Sequence, residues 1–338
     1  MIEAHALGAF DLFIGVVAAA LISAGLIVVL RPLLQRYALA RPNARSSHKL
    51  PTPQGAGIAV IAATLLVAIV WQAAGARPIP LILPGTVLFI ALVGLVDDIR
   101  PMQVAPRLLF QILAVGTLLV TLPSELRIVP SLPIALERGL ILIAGLWFVN
   151  LVNFMDGLDL MTVAEIVPIT ATLTLLGWLG ELPVLPTLVA SALCGALLGF
   201  APFNRPMAKV FLGDVGSLPI GLLLGWALLE LAFQHHLIAA LLLPLYYLAD
   251  ATITLLRRMA TREPFWAAHR THYYQRATDN GLAVAQVVGR VFLLNCVLAA
   301  LAVASVELTS AVVDGFALVA GTIAVAFVLL RFSTKQSR

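Results

Sequence analysis

The chain has 338 residues, is 61% hydrophobic and only 11% charged, and carries a formal net charge of +4. Soluble domains carry about a quarter charged residues, so a soluble enzyme is excluded. So is a soluble enzyme with one anchor, because apolar runs recur from end to end. The net charge is too small to point to nucleic acid, and no nucleic-acid partner is expected.

A membrane-spanning helix needs about 20 mainly apolar residues. Eleven such runs follow one another, at about 11–30, 55–74, 80–96, 107–122, 138–153, 160–179, 183–201, 216–233, 237–256, 286–306 and 311–331. The first run is preceded by Glu3 and His5 and by no Lys or Arg, so it reads as a retained helix and not a signal peptide. Breaks such as Gly75-Ala76-Arg77-Pro78 and Gly180-Glu181-Leu182-Pro183 separate several runs. No internal repeat and no soluble domain stands out, so residues 1–338 read as one integral-membrane domain: an all-α, polytopic helix bundle. Cys194 and Cys296 each lie inside an apolar run and are expected as buried free thiols.

Lys and Arg collect on the cytoplasmic side of membrane proteins. With eleven crossings, 18 of the 21 Lys and Arg residues fall on one side and only Arg77, Arg127 and Arg138 on the other. The N-terminus is therefore expected outside and the C-terminus in the cytoplasm. The same parity puts three acidic clusters and the basic loop around His269 on the cytoplasmic side. Charges at membrane helix ends are costly and mark functional sites by default.

Asp97 and Asp98 end the third run; adjacent carboxylates repel and stay ionised beside a cation. Asn150, Asn153 and Asp156 are spaced by three, which places them on one broad helical face, and Gly157 and Asp159 follow. This segment has no Lys or Arg, so its charge needs balancing from elsewhere. Carboxylate and amide oxygens suit Mg²⁺, with Mn²⁺ also possible, and not zinc. Phe211-Leu212-Gly213-Asp214-Val215-Gly216-Ser217 opens the eighth run, where a helix N-terminus favours an anion such as phosphate. His269-Arg270-Thr271-His272, with Gln275 close behind, suits phosphate recognition better than zinc, since no third metal ligand is near. Asp250 reads as a snorkelling partner for Arg257 or Arg258. Ser46 to Gly57 is basic and Gly/Pro-punctuated, and suits either a plain positive-inside loop or a phosphate contact. Together these groups are the equipment for pyrophosphate chemistry at a bilayer surface.

The set His48-Lys49-x-Pro51-Thr52-Pro53, Asp97-Asp98, Asn150-x-x-Asn153-x-x-Asp156-Gly157-x-Asp159 and Phe211-x-Gly213-Asp214-x-Gly216-Ser217 resembles the polyprenyl-phosphate N-acetylhexosamine-1-phosphate transferases. The resemblance covers nearly the whole chain. It implies a Mg²⁺-dependent enzyme of the bacterial inner membrane that transfers a HexNAc-1-phosphate from a UDP-N-acetylhexosamine to undecaprenyl phosphate and releases UMP. It implies Asn153 and Asp214 as metal ligands and Asp97 and Asp98 beside the lipid phosphate. Asp156 and Asp159 would lie near the nucleotide, with Phe211 stacked on uracil. Lys49 and Arg107 would contact phosphates, and Asn150, His269, Arg270 and His272 complete the substrate-binding set. The late loop lacks the three-His run of the peptidoglycan enzymes, and eleven helices fit the branch that starts O-antigen and other surface polysaccharides. Neither the sugar nor the oligomeric state follows, and a homodimer stays open. The competing reading is a cation-coupled transporter, whose ion site would lie near the bilayer midplane; the acids here are at helix ends.

Overall fold

The computed structural model describes residues 8–40, 51–75, 77–78, 80–264 and 269–335. In chain order its elements are α1 (Ala9–Tyr37), β1 (Leu39–Ala40), β2 (Thr52–Pro53), α2 (Gly57–Ala74), α3 (Ile82–Ile99), α4 (Val104–Val120) and α5 (Ile134–Met155). There follow α6 (Met161–Trp178), α7 (Val184–Phe200), α8 (Asp214–Phe233), α9 (Leu237–Leu242), α10 (Leu245–Ala260), α11 (Tyr273–Asp279), α12 (Val284–Leu308) and α13 (Ala311–Ser333). The two strands pair antiparallel, Leu39 opposite Pro53.

Among the described residues nine helices are long and apolar enough to cross a membrane. The fourth predicted run forms the shorter α4, of 17 residues. The ninth run, expected as one helix over 237–256, is broken: α9 stops at Leu242 and α10 restarts after Pro244. Proline has no N–H and its ring clashes with the preceding turn. Cys194 is buried as expected, but Cys296 is exposed on α12; both are free thiols.

The bundle is built around α7 and α8. Of their spanning residues 78% are buried, against 28% for α1 and 22% for α13, which places the last two at the periphery. In α7, Gly195 and Gly199 lie against the backbone of α1 at Val16 and Ala20, where a Cβ would collide with carbonyl oxygens. This is the small-xxx-small contact by which membrane helices approach closely. α8 packs on α3 and α5, which brings their ends together at one end of the bundle.

Breaking helices inside an apolar bundle leaves N–H groups without partners. None of the residues before α8, α10 and α11 supplies a side-chain cap. Carboxylates from other helices do so. Asp98 at the end of α3 accepts the N–H of Asp214 at 2.9 Å and of Val215 at 3.1 Å. Glu165 in α6 accepts the N–H of Tyr247 at 3.3 Å and an N–H of Asn295 at 2.5 Å, and is fully buried. Asp250 in α10 accepts the N–H of Tyr273 at 2.9 Å and of Tyr274 at 3.1 Å. Asp250 is thus no snorkelling partner of Arg257 or Arg258. It is fully buried, while Arg258 pairs with Glu263 and Arg257 donates to the Thr271 carbonyl.

Glu165→Leu strands the Tyr247 N–H and the Asn295 amide, which is expected to cost about 1–3 kcal/mol. Glu165→Gln, which keeps an acceptor, should cost less. The fraction of detergent-solubilised protein that stays monodisperse after heating measures both. Equal retention by Glu165→Leu and wild type would refute the capping role.

Candidate active site

The site forms where α3 and α5 end and α8 begins. The loop from Pro51 to Gly57 closes one side by backbone pairing. Phe211 donates its N–H to the Pro53 carbonyl at 2.8 Å, and its carbonyl accepts from Gly55 and Ala56. Gly57 N–H then donates to the Leu212 carbonyl at 2.9 Å. Gly213 follows with φ 77, a left-handed conformation that glycine adopts at no steric cost. It turns the chain into α8 with Asp214 as its first residue.

Asp98 is placed by the start of α8 and by Gln54, whose Nε2 donates to its Oδ1 at 3.1 Å. The α8 N-terminus therefore does hold an anion, but that anion is the Asp98 carboxylate. The next two N–H groups, of Gly216 and Ser217, donate to the Gly213 carbonyl at 3.0 Å. The phosphate expected there finds those donors taken. Asn153 donates from Nδ2 to Asp214 at 2.8 Å and to the Ser217 hydroxyl at 2.9 Å. Arg107 lies 3.1 Å from Asp97 and 3.9 Å from Asp214. Asp97 also accepts the Met102 N–H. Arg107 is thus at the site and joins two carboxylates.

A cavity of about 1190 Å³ opens beside this cluster. Of the residues singled out from the sequence, Asp98, Asn153, Asp156, Asp159, Phe211 and Asp214 line it. Asp156 accepts the hydroxyl of Thr162, and Asp159 accepts the Ala208 N–H at 3.2 Å. Burial pushes the Asp156 carboxyl up to about 7, and the charges of Asp98 and Asp159 push the same way.

Other expected residues lie off the cavity wall. Asp97 and Arg107 stand behind Asp214. Asn150 exchanges amide hydrogen bonds with Gln111, at 2.6 Å and 3.3 Å, inside the bundle. His272 is buried with its ring 4.9 Å from that of His269 and 3.3 Å from Asp250. Burial and the neighbouring His272 lower His269 to about 4. Arg270 pairs with Asp279 at 3.0 Å. Lys49 lies outside the described residues. The wall also includes Arg31, Gln35, Asn204 and Lys209, which no motif marks, and Gln54 and Gln275, which lie within the Ser46–Gly57 segment and the His269 loop. Arg31 and Gln35 were legible in principle: they are one helical turn apart at the polar end of the first run.

Asp156 carries a pH signature. Its carboxyl holds a proton up to about pH 7 in the fold and releases it near 3.8 when unfolded. Between those values the folded state binds more protons, so stability contributed here falls as pH rises. Asp156→Asn should flatten that part of the curve, as read from thermal midpoints in detergent between pH 4 and 8. An unchanged slope would sink the assignment.

Residues 80–232 match the family model described as glycosyl transferase family 4. Over 205 residues the chain is 30% identical to the phospho-N-acetylmuramoyl-pentapeptide-transferase of Wolbachia pipientis wMel, a match covering 54% of this chain and 61% of that relative. It is 29% identical over 180 residues to the enzyme of the same name from Bartonella quintana (strain Toulouse), covering 47% of this chain and 48% of the relative. The chain thus spans less than two thirds of the length of these relatives. A longer match, 24% identical over 306 residues, covers 84% of this chain and 85% of the probable undecaprenyl-phosphate N-acetylglucosaminyl 1-phosphate transferase of Bacillus subtilis (strain 168). The matched segment runs from α3 to α8 and contains every residue of the Asp97–Asp98, Asn153–Asp159 and Phe211–Asp214 clusters. Over residues 80–232, then, this multi-pass membrane protein is similar to glycosyl transferase family 4, and the acidic clusters that line its cavity fall inside that stretch.

Proposed function

We propose that the protein transfers a HexNAc-1-phosphate from a UDP-N-acetylhexosamine to undecaprenyl phosphate at the cytoplasmic face of the bacterial inner membrane, releasing UMP. On this reading it starts an O-antigen or related surface polysaccharide. The observation that carries the reading is the cavity at the helix ends. Its described wall holds four acidic side chains, Asp98, Asp156, Asp159 and Asp214, crowded together so that each raises the cost of ionising the next, beside two cations, Arg31 and Lys209. A pyrophosphate entering that wall needs a further cation. Among the described residues no three His, Cys, Asp or Glu side chains form a ready-made metal cage. That fits Mg²⁺, which is held through one or two carboxylates and otherwise keeps water and substrate phosphates as ligands. Asp214, with Asn153 beside it, would hold it, and when bound it would neutralise pyrophosphate oxygens.

The remaining chemistry asks little of a base. A phosphate monoester has its second pKa near 6, so the lipid phosphate is largely a dianion at neutral pH. One of its oxygens bonds to the β-phosphorus. The bond from that phosphorus to the bridging oxygen breaks, and UMP leaves with the electron pair. Asp97 and Asp98 act through charge and position. In support, Asp98 is engaged by two backbone N–H groups and Gln54, and Asp97 by Met102 and Arg107. Phe211 offers a face for the uracil, and Lys209 and Arg31 offer charge for phosphates.

Two measurements test this. Purified protein given undecaprenyl phosphate and a panel of UDP-HexNAc donors should release UMP only with Mg²⁺ or Mn²⁺ present. No release with any donor would overturn the function. Asp97→Asn should lose at least tenfold in rate, and alkaline pH should not restore it; full recovery at high pH would mean that Asp97 is a base after all.

A further inference from the structure

We propose that Asp250, outside the cavity, is a positioning residue for the Asn153–Asp159 turn and acts through Tyr274. This deepens the transferase reading and rests on it for its kinetic test. Asp250 is fully buried yet carries a carboxylate that five groups surround. Tyr273 and Tyr274 donate their N–H groups to it, and the hydroxyls of Tyr246 and Thr254 donate at 3.2 Å and 3.3 Å. The ring of His272 stands 3.3 Å away. So many donors on one buried acid fix the start of α11 against α10.

From there the constraint passes to the site. Tyr274 is fully buried, and its hydroxyl donates to the Phe154 carbonyl at 2.9 Å, across 120 residues of sequence. Phe154 follows Asn153 and stands two residues before Asp156. The same hydroxyl occupies the space beside Gly157, where a Cβ would collide with it and would lie 3.2 Å from Gln275 Nε2. Gln275 is the next residue of α11 and lines the cavity. The last turn of α5 is thus braced from outside by a tyrosine whose own backbone hangs on Asp250. The brace is long-range and entirely hydrogen-bonded, and a misplacement of about 1 Å at a reacting centre can cost about a hundredfold in rate.

The test is a double-mutant cycle with the full-length protein in detergent, normalised to folded material. Tyr274→Phe removes one hydroxyl and is expected to lower kcat/KM about fivefold. Asp250→Asn puts an amide where only acceptors fit and should lower it at least tenfold. If Asp250 acts through Tyr274, the double variant is no worse than Asp250→Asn alone; multiplied losses would overturn the proposal. A second pair avoids any folding defect of the Asp250 variant. Gly157→Ala should lose activity, and adding Tyr274→Phe should restore part of it by opening the space; no rescue counts against the brace. Amide hydrogen exchange reads the link without turnover. Exchange over residues 153–159 should quicken in Asp250→Asn and Tyr274→Phe while the middle of α5 stays protected. Unchanged exchange in that turn overturns the proposal even if the transferase reading stands. Faster exchange in a protein with no transferase activity would fail that reading and keep the brace.

Discussion

A backbone N–H with no partner inside a membrane bundle costs several kcal/mol, and this fold answers that cost with carboxylates borrowed from neighbouring helices. Helices α8, α10 and α11 all begin inside packed protein, and the residues before them, Gly213, Pro244 and His272, supply no side-chain cap. Asp98, Glu165 and Asp250 take their place. Each cap lies on a different helix from the one it serves, so each is also a tertiary tie: α3 to α8, α6 to α10, α10 to α11. A carboxyl oxygen at a helix N-terminus meets both the free N–H groups and the positive end of the aligned peptide dipoles. The acids that make an apolar chain look anomalous are therefore structural before they are chemical.

The site inherits its geometry from these ties. Asp98 fixes the first turn of α8 and with it Asp214. Asn153 then links Asp214 and Ser217 to the last turn of α5. Arg107 bridges Asp214 and Asp97, but one guanidinium between two carboxylates leaves negative charge uncompensated. Coulomb repulsion among acids at this spacing is what a divalent cation and a phosphate-bearing substrate would exchange for attraction, and a low dielectric amplifies either sign. On the transferase reading, a cation would come first to such a wall, and an anion would follow it.

Much of this was legible in the sequence because the bilayer fixes helix length. Nine of the eleven expected runs appear as long helices, most with ends shifted by a few residues and the first extended to Tyr37, and the acidic clusters stand out because only 17 of the 338 residues are Asp or Glu. What the sequence does not show has several physical causes. Asp250 reads from the sequence as a partner of Arg257 or Arg258, yet it accepts backbone N–H groups, which every residue but proline carries and no spacing reveals, together with the Tyr246 and Thr254 hydroxyls. The anion at the start of α8 proved to be Asp98, 116 residues upstream. Asn150 shares a helical face with Asn153, but direction does not give depth, and Gln111 takes its amide. The break at Pro244 was hidden by apolar residues on both sides.

The capping role also limits what Asp98 can do chemically. A general base must take up a proton in the transition state. Protonating Asp98 would weaken its hold on the Asp214 and Val215 N–H groups at the moment when Asp214 has to stay in place. The two demands oppose each other on one carboxylate, and they are reconciled if the nucleophile arrives already ionised. A lipid phosphate does, whereas a hydroxyl or a water would not. On the transferase reading, the cap that lets α8 begin inside the bundle would therefore suit an anionic acceptor better than a neutral one.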